Sequence, residues 1–368
     1  MFKRIAELIG IASKADEKED SVFFPDKRYA SVPIDKSRFS PPDVILGASP
    51  KISFCDGGNC EIFASPSISL QLIRGYFSVF QGNKKISFGL KSFYLLVSAG
   101  ESADYGLKYS CRFFSKEGLE LSKSDICALF GISEANSSAF FSETAGFSFD
   151  PLDKSIISGV ERAKPSRVAD IIRRYFELSI AVLSLSKLGK DDFIVLDGTL
   201  QCAFPGESYF LDALYREAGK KGVYVSALAK TSSLITKRGK SLIPLLVEMS
   251  PISEWCYYPI VKIENPLHKA EMYVLKLNSG SNYAFRFEVC SAIKSDVPRI
   301  INALQGNSRD YSFPGYPYGL IDADKFAQVT NEEKSSLRAM LFSESGRSSL
   351  RLLGLEASLD AHGILNRF

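Results

Sequence analysis

Three carboxylates stand where the chain could deliver acids to one crevice. Asp56 closes the stretch KISFC and precedes two glycines, Asp197 closes the apolar run FIVL and precedes Gly198, and Glu177 lies inside a long amphipathic stretch. A four-residue apolar run has the form of a buried strand, so Asp197 would emerge at its carboxyl end. If the three acids meet, they cannot all stay charged unaided, because like charges about 4 Å apart cost roughly 4 kcal/mol at an effective dielectric of 20. A divalent ion such as Mn2+ or Mg2+ removes that conflict. Hard oxygen ligands around such an ion are a usual means of activating water for phosphodiester cleavage. Lys230 follows the next strand-like run, and a right-handed β-α-β crossover would bring it to the same sheet edge as Asp197.

Each of these residues also has an ordinary reading. Asp-Gly is a common turn dipeptide after any strand. Glu177 has Arg173 four residues before it, the spacing of a routine helix-surface pair, and Lys230 could be a solvated loop lysine. The rest of the composition narrows the chemistry. His268 and His362 are the only histidines, which leaves a His-dependent nucleophile triad or a His-rich zinc site almost nothing to use. No GxxxxGK[ST] phosphate loop occurs, and no GxGxxG opens a helix after a strand. Lysine and arginine exceed aspartate and glutamate by only 45 − 42 = 3, so any polyanion site must be a local patch. The seven cysteines form no CxxC pair, Cys55 and Cys60 being the closest. That usage points to free thiols in a reducing, cytoplasmic compartment. No run approaches the ~18 apolar residues of a membrane span.

The elements that must position these residues follow from periodicity. MFKRIAELIGIA reads as an amphipathic helix, with Ile5, Leu8, Ile9 and Ile11 as its apolar stripe, that packs on the protein or on a partner. Residues from Asp16 to Pro50 are polar and proline-dotted and predict an extended arm. KISFCDGG predicts a short strand breaking at Gly57–Gly58, and SISLQLIRGYFSVF suits strand and helix equally. Segments 84–98 and 107–114 alternate as strands do and predict a meander; 120–160 predicts short helices and loops. The stretch Ser166–Leu188 carries helical spacing, with Gly189 as its C-cap. After it come the strand ending in Asp197, a helix over 208–221 and the strand Val223–Leu228. Strand-like runs at 257–263, 271–277 and 283–290, a helix near 296–304 and closing helices from Asn331 complete the pattern.

In that order, the motifs resemble those of the NurA nucleases, over roughly residues 45–330. CDGG with LQLIRGYF resembles the family's first motif, and the resemblance makes Asp56 its metal-binding aspartate. RRYFELSIAVL and IVLDGTL resemble the next two, carrying the acidic pair onto Glu177 and Asp197. VSALAKTS matches a functional lysine at Lys230, and FPGYPYGLIDADK matches a tyrosine at Tyr316. That last motif usually ends in histidine, where this chain has Asp324, and Gly319 stands where proline is frequent. An acid there adds negative charge beside a phosphate or supplies another metal ligand; with three carboxylates already present, repulsion is expected to prevail. Tyr316 and Tyr318 could stack on unpaired bases, although packing in a core is the commoner fate of a tyrosine.

The resemblance implies an α/β fold: an RNase H-like mixed sheet flanked by helices, with an inserted meander and helical segment and short terminal helices. It divides the chain into 1–44 (helix and arm), 45–330 (nuclease core, with the insertion at about 84–160) and 331–368 (closing helices). It further implies a Mn2+- or Mg2+-dependent exonuclease or endonuclease on single- and double-stranded DNA. Such an enzyme would work as a homodimer with a hexameric HerA-type translocase in DNA end resection and recombinational repair. The alternative is a catalytically weakened DNA-binding or scaffold subunit of the same complex. A carboxylate-pair glycosidase would need an aromatic-lined groove, and the single tryptophan, Trp255, gives that little support.

Overall fold

The structure is a computed structural model; it describes residues 2–13, 20–43, 49–101, 106–133, 146–157, 161–293, 296–311, 313–346, 351 and 354. The amino-terminal stretch forms helix α1 (Phe2–Ser13), and Phe2, Ile5 and Leu8 on it are exposed. The expected arm holds two short strands, β1 (Tyr29–Ser31) and β2 (Phe39–Ser40). Residues 14–19 and 44–48 of that arm lie outside the described residues, as do 134–145 and 158–160 of the expected loop-rich segment.

Three long strands follow: β3 (Lys51–Ala64), β4 (Ile68–Gln81) and β5 (Lys84–Glu101). β3 does not break at Gly57–Gly58. It runs through both glycines, because they are where other elements close on the sheet: a Cβ at Gly57 would lie 3.1 Å from the Glu177 Cβ, and one at Gly58 would lie 2.2 Å from the Ala327 carbonyl oxygen. The ambiguous segment becomes the strand β4, and β5 pairs with it along its length, so the expected meander is continuous with the main sheet. β6 (Leu107–Phe114), α2 (Lys123–Phe130) and β7 (Ser148–Phe149) extend it.

Helix α3 (Pro165–Ser184) starts with proline in its first turn and ends in a 3-10 turn, Leu185–Lys187, so Leu185 rather than Gly189 is its cap. The Gly189 amide instead donates to the Asp192 carboxylate at 2.8 Å. β8 (Phe193–Asp197), α4 (Glu207–Lys221) and β9 (Tyr224–Ala229) form the β-α-β unit, with β8 parallel to both β3 and β9. α5 (Leu242–Met249), β10 (Trp255–Tyr257), β11 (Val261–Ile263), β12 (Ala270–Lys276), β13 (Phe285–Cys290), α6 (Val297–Asn307), α7 (Tyr318–Ala327) and α8 (Asn331–Ser345) complete the chain. Among the described residues the main sheet has the order β2-β10-β12-β13-β9-β8-β3-β4-β5-β6-β7, and β1 pairs with β11 separately.

Side-chain alternation divides the core into two layers. Cys55, Ile73, Phe93, Ile194, Leu196 and Ala227 point to the face covered by α3 and α4. Phe54, Tyr76, Phe193, Val195 and Leu228 point to the face covered by α6 and α7. That parity decides where the acids go.

Candidate active site

Asp56 shares the parity of Phe54, Asp197 that of Val195, and Lys230 that of Leu228, so all three belong to the α7 side of the sheet. β3 and β8 are parallel and adjacent, with Cys55 opposite Leu196, which brings Asp56, within β3, beside Asp197 at the end of β8. α7 crosses the same face and contributes Asp324. One carboxylate oxygen from each of Asp56, Asp197 and Asp324 lies within 4.8 Å of the other two. Close docking of α7 makes this possible: a Cβ at Gly319 would fall 1.9 Å from the Phe54 ring, and the Gly319 amide donates to Asn307 Oδ1 at 2.9 Å.

The Lys230 ammonium bridges two of these acids, 2.6 Å from Asp197 Oδ2 and 2.8 Å from Asp324 Oδ1. Burial works against its charge, but Asp197 and the hydrogen bonds to both acids outweigh that and hold its pKa above the ordinary lysine value. One ammonium does not balance three carboxylates. Asp56, only 8% exposed, bears the consequence. Burial first, and then repulsion from Glu177 and Asp197, pushes its pKa up to about 8, against the smaller pull of Lys230 and of the Gly57 amide that donates to it at 2.7 Å. Tyr316 is buried; its hydroxyl donates to Asp197 Oδ1 at 3.4 Å and its ring stacks on Phe313. Burial and the neighbouring Asp197 raise its pKa, so it remains a neutral donor. With no exposed ring face it cannot stack on a base, whereas Tyr318 is 40% exposed.

Glu177 goes elsewhere. It projects from α3 onto the opposite face of β3, beside Gly57, and both its oxygens are taken: Arg174 Nη1 donates at 2.6 Å and Arg173 Nη1 at 2.9 Å. Arg174 also donates to Glu207 at 2.8 Å and to the Thr199 carbonyl at 2.8 Å, and Arg173 to the Gly57 carbonyl at 3.1 Å. Two guanidiniums therefore face two carboxylates, and the bonded carbonyls flank Asp56 and Asp197. The cluster expected from sequence, Asp56–Glu177–Asp197, is thus replaced as a close group by Asp56–Asp197–Asp324. Glu177 instead holds the two arginines that donate to the backbone carbonyls beside the other two acids. The ordinary helix pairing of Arg173 with Glu177 is present; Arg174 and Glu207 join it unexpectedly, and the i, i+3 spacing of Arg174 and Glu177 is the one signal of this in the sequence.

An all-carboxylate donor set with unbalanced negative charge fits a hard divalent cation, since such ions take oxygen ligands and relieve the repulsion that raises Asp56. Asp56, Asp197 and Asp324 are the residues that could hold one.

The sheet at the centre of this arrangement has the order β5-β4-β3-β8-β9, with the first three strands antiparallel and the last two parallel to β3. It is an RNase H-like mixed sheet flanked by helices. More particularly, the fold is NurA-like: the crystal structure of the NurA nuclease from Sulfolobus solfataricus superposes with a TM-score of 0.50 over 94% of each chain, at 13% sequence identity. Endonuclease V from Ciona intestinalis, in complex with inosine-containing DNA, has a TM-score of 0.36 at 10% identity, covering 79% of this chain and 87% of that one. The catalytic domain of human endonuclease V has a TM-score of 0.37 at 9% identity, covering 83% and 92%. No protein-family model and no curated protein matches the sequence.

Proposed function

We propose that this protein is a divalent-metal-dependent deoxyribonuclease. The observation that carries the reading is the trio Asp56, Asp197 and Asp324, three acids on the α7 side of an RNase H-like sheet with one lysine among them. Asp56, Asp197 and Asp324 would hold Mn2+ or Mg2+. When bound, such an ion supplies Lewis acidity at a phosphodiester and activates water at neutral pH. The chain's own groups do the rest. Lys230 carries a positive charge at the mouth of the cluster, where it offsets charge growing on a phosphate. Tyr316 donates to Asp197 and fixes its orientation, while Glu177 with its arginines holds the backbone on either side. We assign Glu177 a positioning role.

The resemblance of the motifs to NurA supports DNA as substrate, cleavage from ends or within strands, and a place in end resection and recombinational repair beside a HerA-type hexameric translocase. The exposed apolar residues of α1, Phe2, Ile5 and Leu8, are suited to a contact with that partner or with a second copy in a homodimer. The weakened DNA-binding or scaffold subunit has one feature in its favour, the aspartate at 324 in place of the family's histidine. One assay separates the two readings. Purified protein is incubated with end-labelled single- and double-stranded DNA in Mn2+, Mg2+ or EDTA. Cleavage with either ion and none in EDTA is expected; binding without cleavage in all three would favour the scaffold.

A further inference from the structure

The exposed face of β5 has no assigned use. Ile86, Phe88 and Leu90 alternate onto one side of that strand and are 43%, 64% and 40% exposed. Strand register ties this side to the acids. Asp56 is paired with Tyr76, and Tyr76 with Leu90, in one row across β3, β4 and β5. At about 4.8 Å per strand, Leu90 is roughly 10 Å from Asp56 along that row. A second exposed ring comes from α7: Phe326, 44% exposed, lies two residues beyond Asp324.

Buried Tyr76 holds both rings. Phe326 stacks on it at 5.1 Å between centroids and 26° between planes, and Phe88 at 6.2 Å and 27°. The Tyr76 hydroxyl donates to Asp322 at 3.2 Å, Lys85 bonds the same carboxylate at 2.8 Å, and the Lys85 ammonium sits 4.9 Å from the Phe326 centroid. Both exposed rings are therefore anchored on Tyr76, and the same ammonium lies 5.8 Å from the Phe88 centroid. By alternation Lys85, opposite Phe80, shares the face of Phe88, whereas Lys91, opposite Gly75, and Lys84, opposite Gln81, belong to the other face; Lys325 adjoins Phe326. Asp322, the acid beneath the rings, is already paired.

We propose that Phe88 and Phe326, with Lys85 and Lys325 beside them, form a stacking platform for the bases of an unpaired nucleic-acid strand whose backbone leads to the Asp56–Asp197–Asp324 cluster. The proposal rests on the nuclease reading for what happens at the cluster, but not for the binding itself. Aromatic faces stack on any base, and lysines follow the phosphates, which is the pairing used by proteins that hold single strands without sequence preference. A protein interface also uses exposed apolar side chains. Two exposed rings anchored on Tyr76, with Lys85 and Lys325 beside them and the acids in the same strand row, favour a polyanion with flat bases that runs on to the cluster.

The test is binding by the full chain to a labelled short single-stranded oligothymidylate, at low salt in EDTA, beside an abasic oligomer of equal length. Phe88→Ala and Phe326→Ala are each expected to weaken oligothymidylate binding about 10-fold, and Phe88→Tyr to restore it, with abasic binding unchanged by all three. Equal losses on both probes, no loss on either, or no binding of oligothymidylate by the unaltered chain would overturn the platform. So would a fall in oligomer mass on Phe88→Ala, which would assign the patch to a second copy. Base-dependent binding without Mn2+-dependent cleavage leaves the platform standing and removes the nuclease reading. Cleavage without base-dependent binding does the reverse.

Discussion

The two faces of β3 carry buried acid in opposite ways. On the α3 side, Glu177 and Glu207 meet Arg173 and Arg174, and each charge has its counterion within the chain. On the α7 side, Asp56, Asp197 and Asp324 share the ammonium of Lys230. Arg174 is held above its ordinary pKa because Glu177 and Glu207 outweigh the cost of burying it; burial raises Glu177 against the pull of both arginines, and Asp56 is driven up to about 8 by burial, then by Glu177 and Asp197. Pairing acids with arginines on one face and leaving three carboxylates to one ammonium on the other supports the proposal that the first face is scaffold and the second a place for a cation.

The sharpest way to break this comparison is to neutralise one acid on each side. Asp197→Asn is expected to lower metal-dependent cleavage about 10^3-fold or more, since a ligand charge worth several kcal/mol in the transition state is lost. Its circular dichroism should match the unaltered chain. Arg174→Met removes a counterion from the balanced face and is expected to cost about 3–5 kcal/mol of stability in urea, because it leaves Glu177 and Glu207 short of charge. If Arg174→Met instead preserves stability and abolishes Mn2+ binding measured by calorimetry, the α3 face is part of the ligand shell and the division fails.

Two buried acids, Asp56 and Glu288, should answer pH with opposite signs. Asp56 has a folded pKa near 8, above the ordinary value of 3.8. The folded state therefore holds the proton more tightly than the unfolded one, and the stability this confers is complete below about pH 4 and is lost as pH rises towards 8. Glu288 behaves in the contrary sense: burial would raise it, but Arg286 and His268 prevail and hold it down at about 2. Its contribution is complete above the ordinary value of 4.5 and is lost as pH falls towards 2. In metal-free protein, Asp56→Asn should raise the Tm at pH 8 by at least about 2 °C and flatten the alkaline limb. Glu288→Gln should lower Tm at pH 7 and flatten the acid limb. A Tm for Asp56→Asn that falls at pH 8 would mean the carboxylate is compensated after all.

Much of this was legible in the residues. The run FIVLD makes strand β8 with Asp197 at its end, and the β-α-β spacing brings Lys230 beside it, because short apolar runs and right-handed crossovers leave few alternatives. What spacing did not convey was parity. Asp56 and Asp197 alternate onto the α7 face, and α3 packs on the other, so helix α3 could not readily bring Glu177 into the same close group. The glycines of KISFCDGG predict a break, since glycine usually punctuates a strand; here the missing side chains admit α3 on one face and α7 on the other. The Phe88 platform was hidden for a related reason. Alternation marks one face of a strand as apolar but does not say whether that face will be covered.

Asp324 tests the comparison most finely, because sequence reasoning and geometry give it opposite effects. Repulsion of a phosphate was expected to dominate on the ground that three other carboxylates were available. With Glu177 committed to its arginines, the close group has only two acids without Asp324, and Asp324 is itself paired with Lys230 rather than bare. It is also 53% exposed, so its removal leaves no buried cavity and the fold should be unaffected. Asp324→Ala is therefore expected to raise the Mn2+ concentration for half-maximal cleavage about 10-fold, with the rate at saturating Mn2+ within roughly 3-fold of the unaltered enzyme. Asp324→His, which keeps a ligand atom but not the charge, should fall between the two. A titration of cleavage rate against Mn2+ distinguishes the outcomes directly. If Asp324→Ala is faster at every Mn2+ concentration, the aspartate acts through repulsion, and the ligand shell on the α7 face has two acids rather than three.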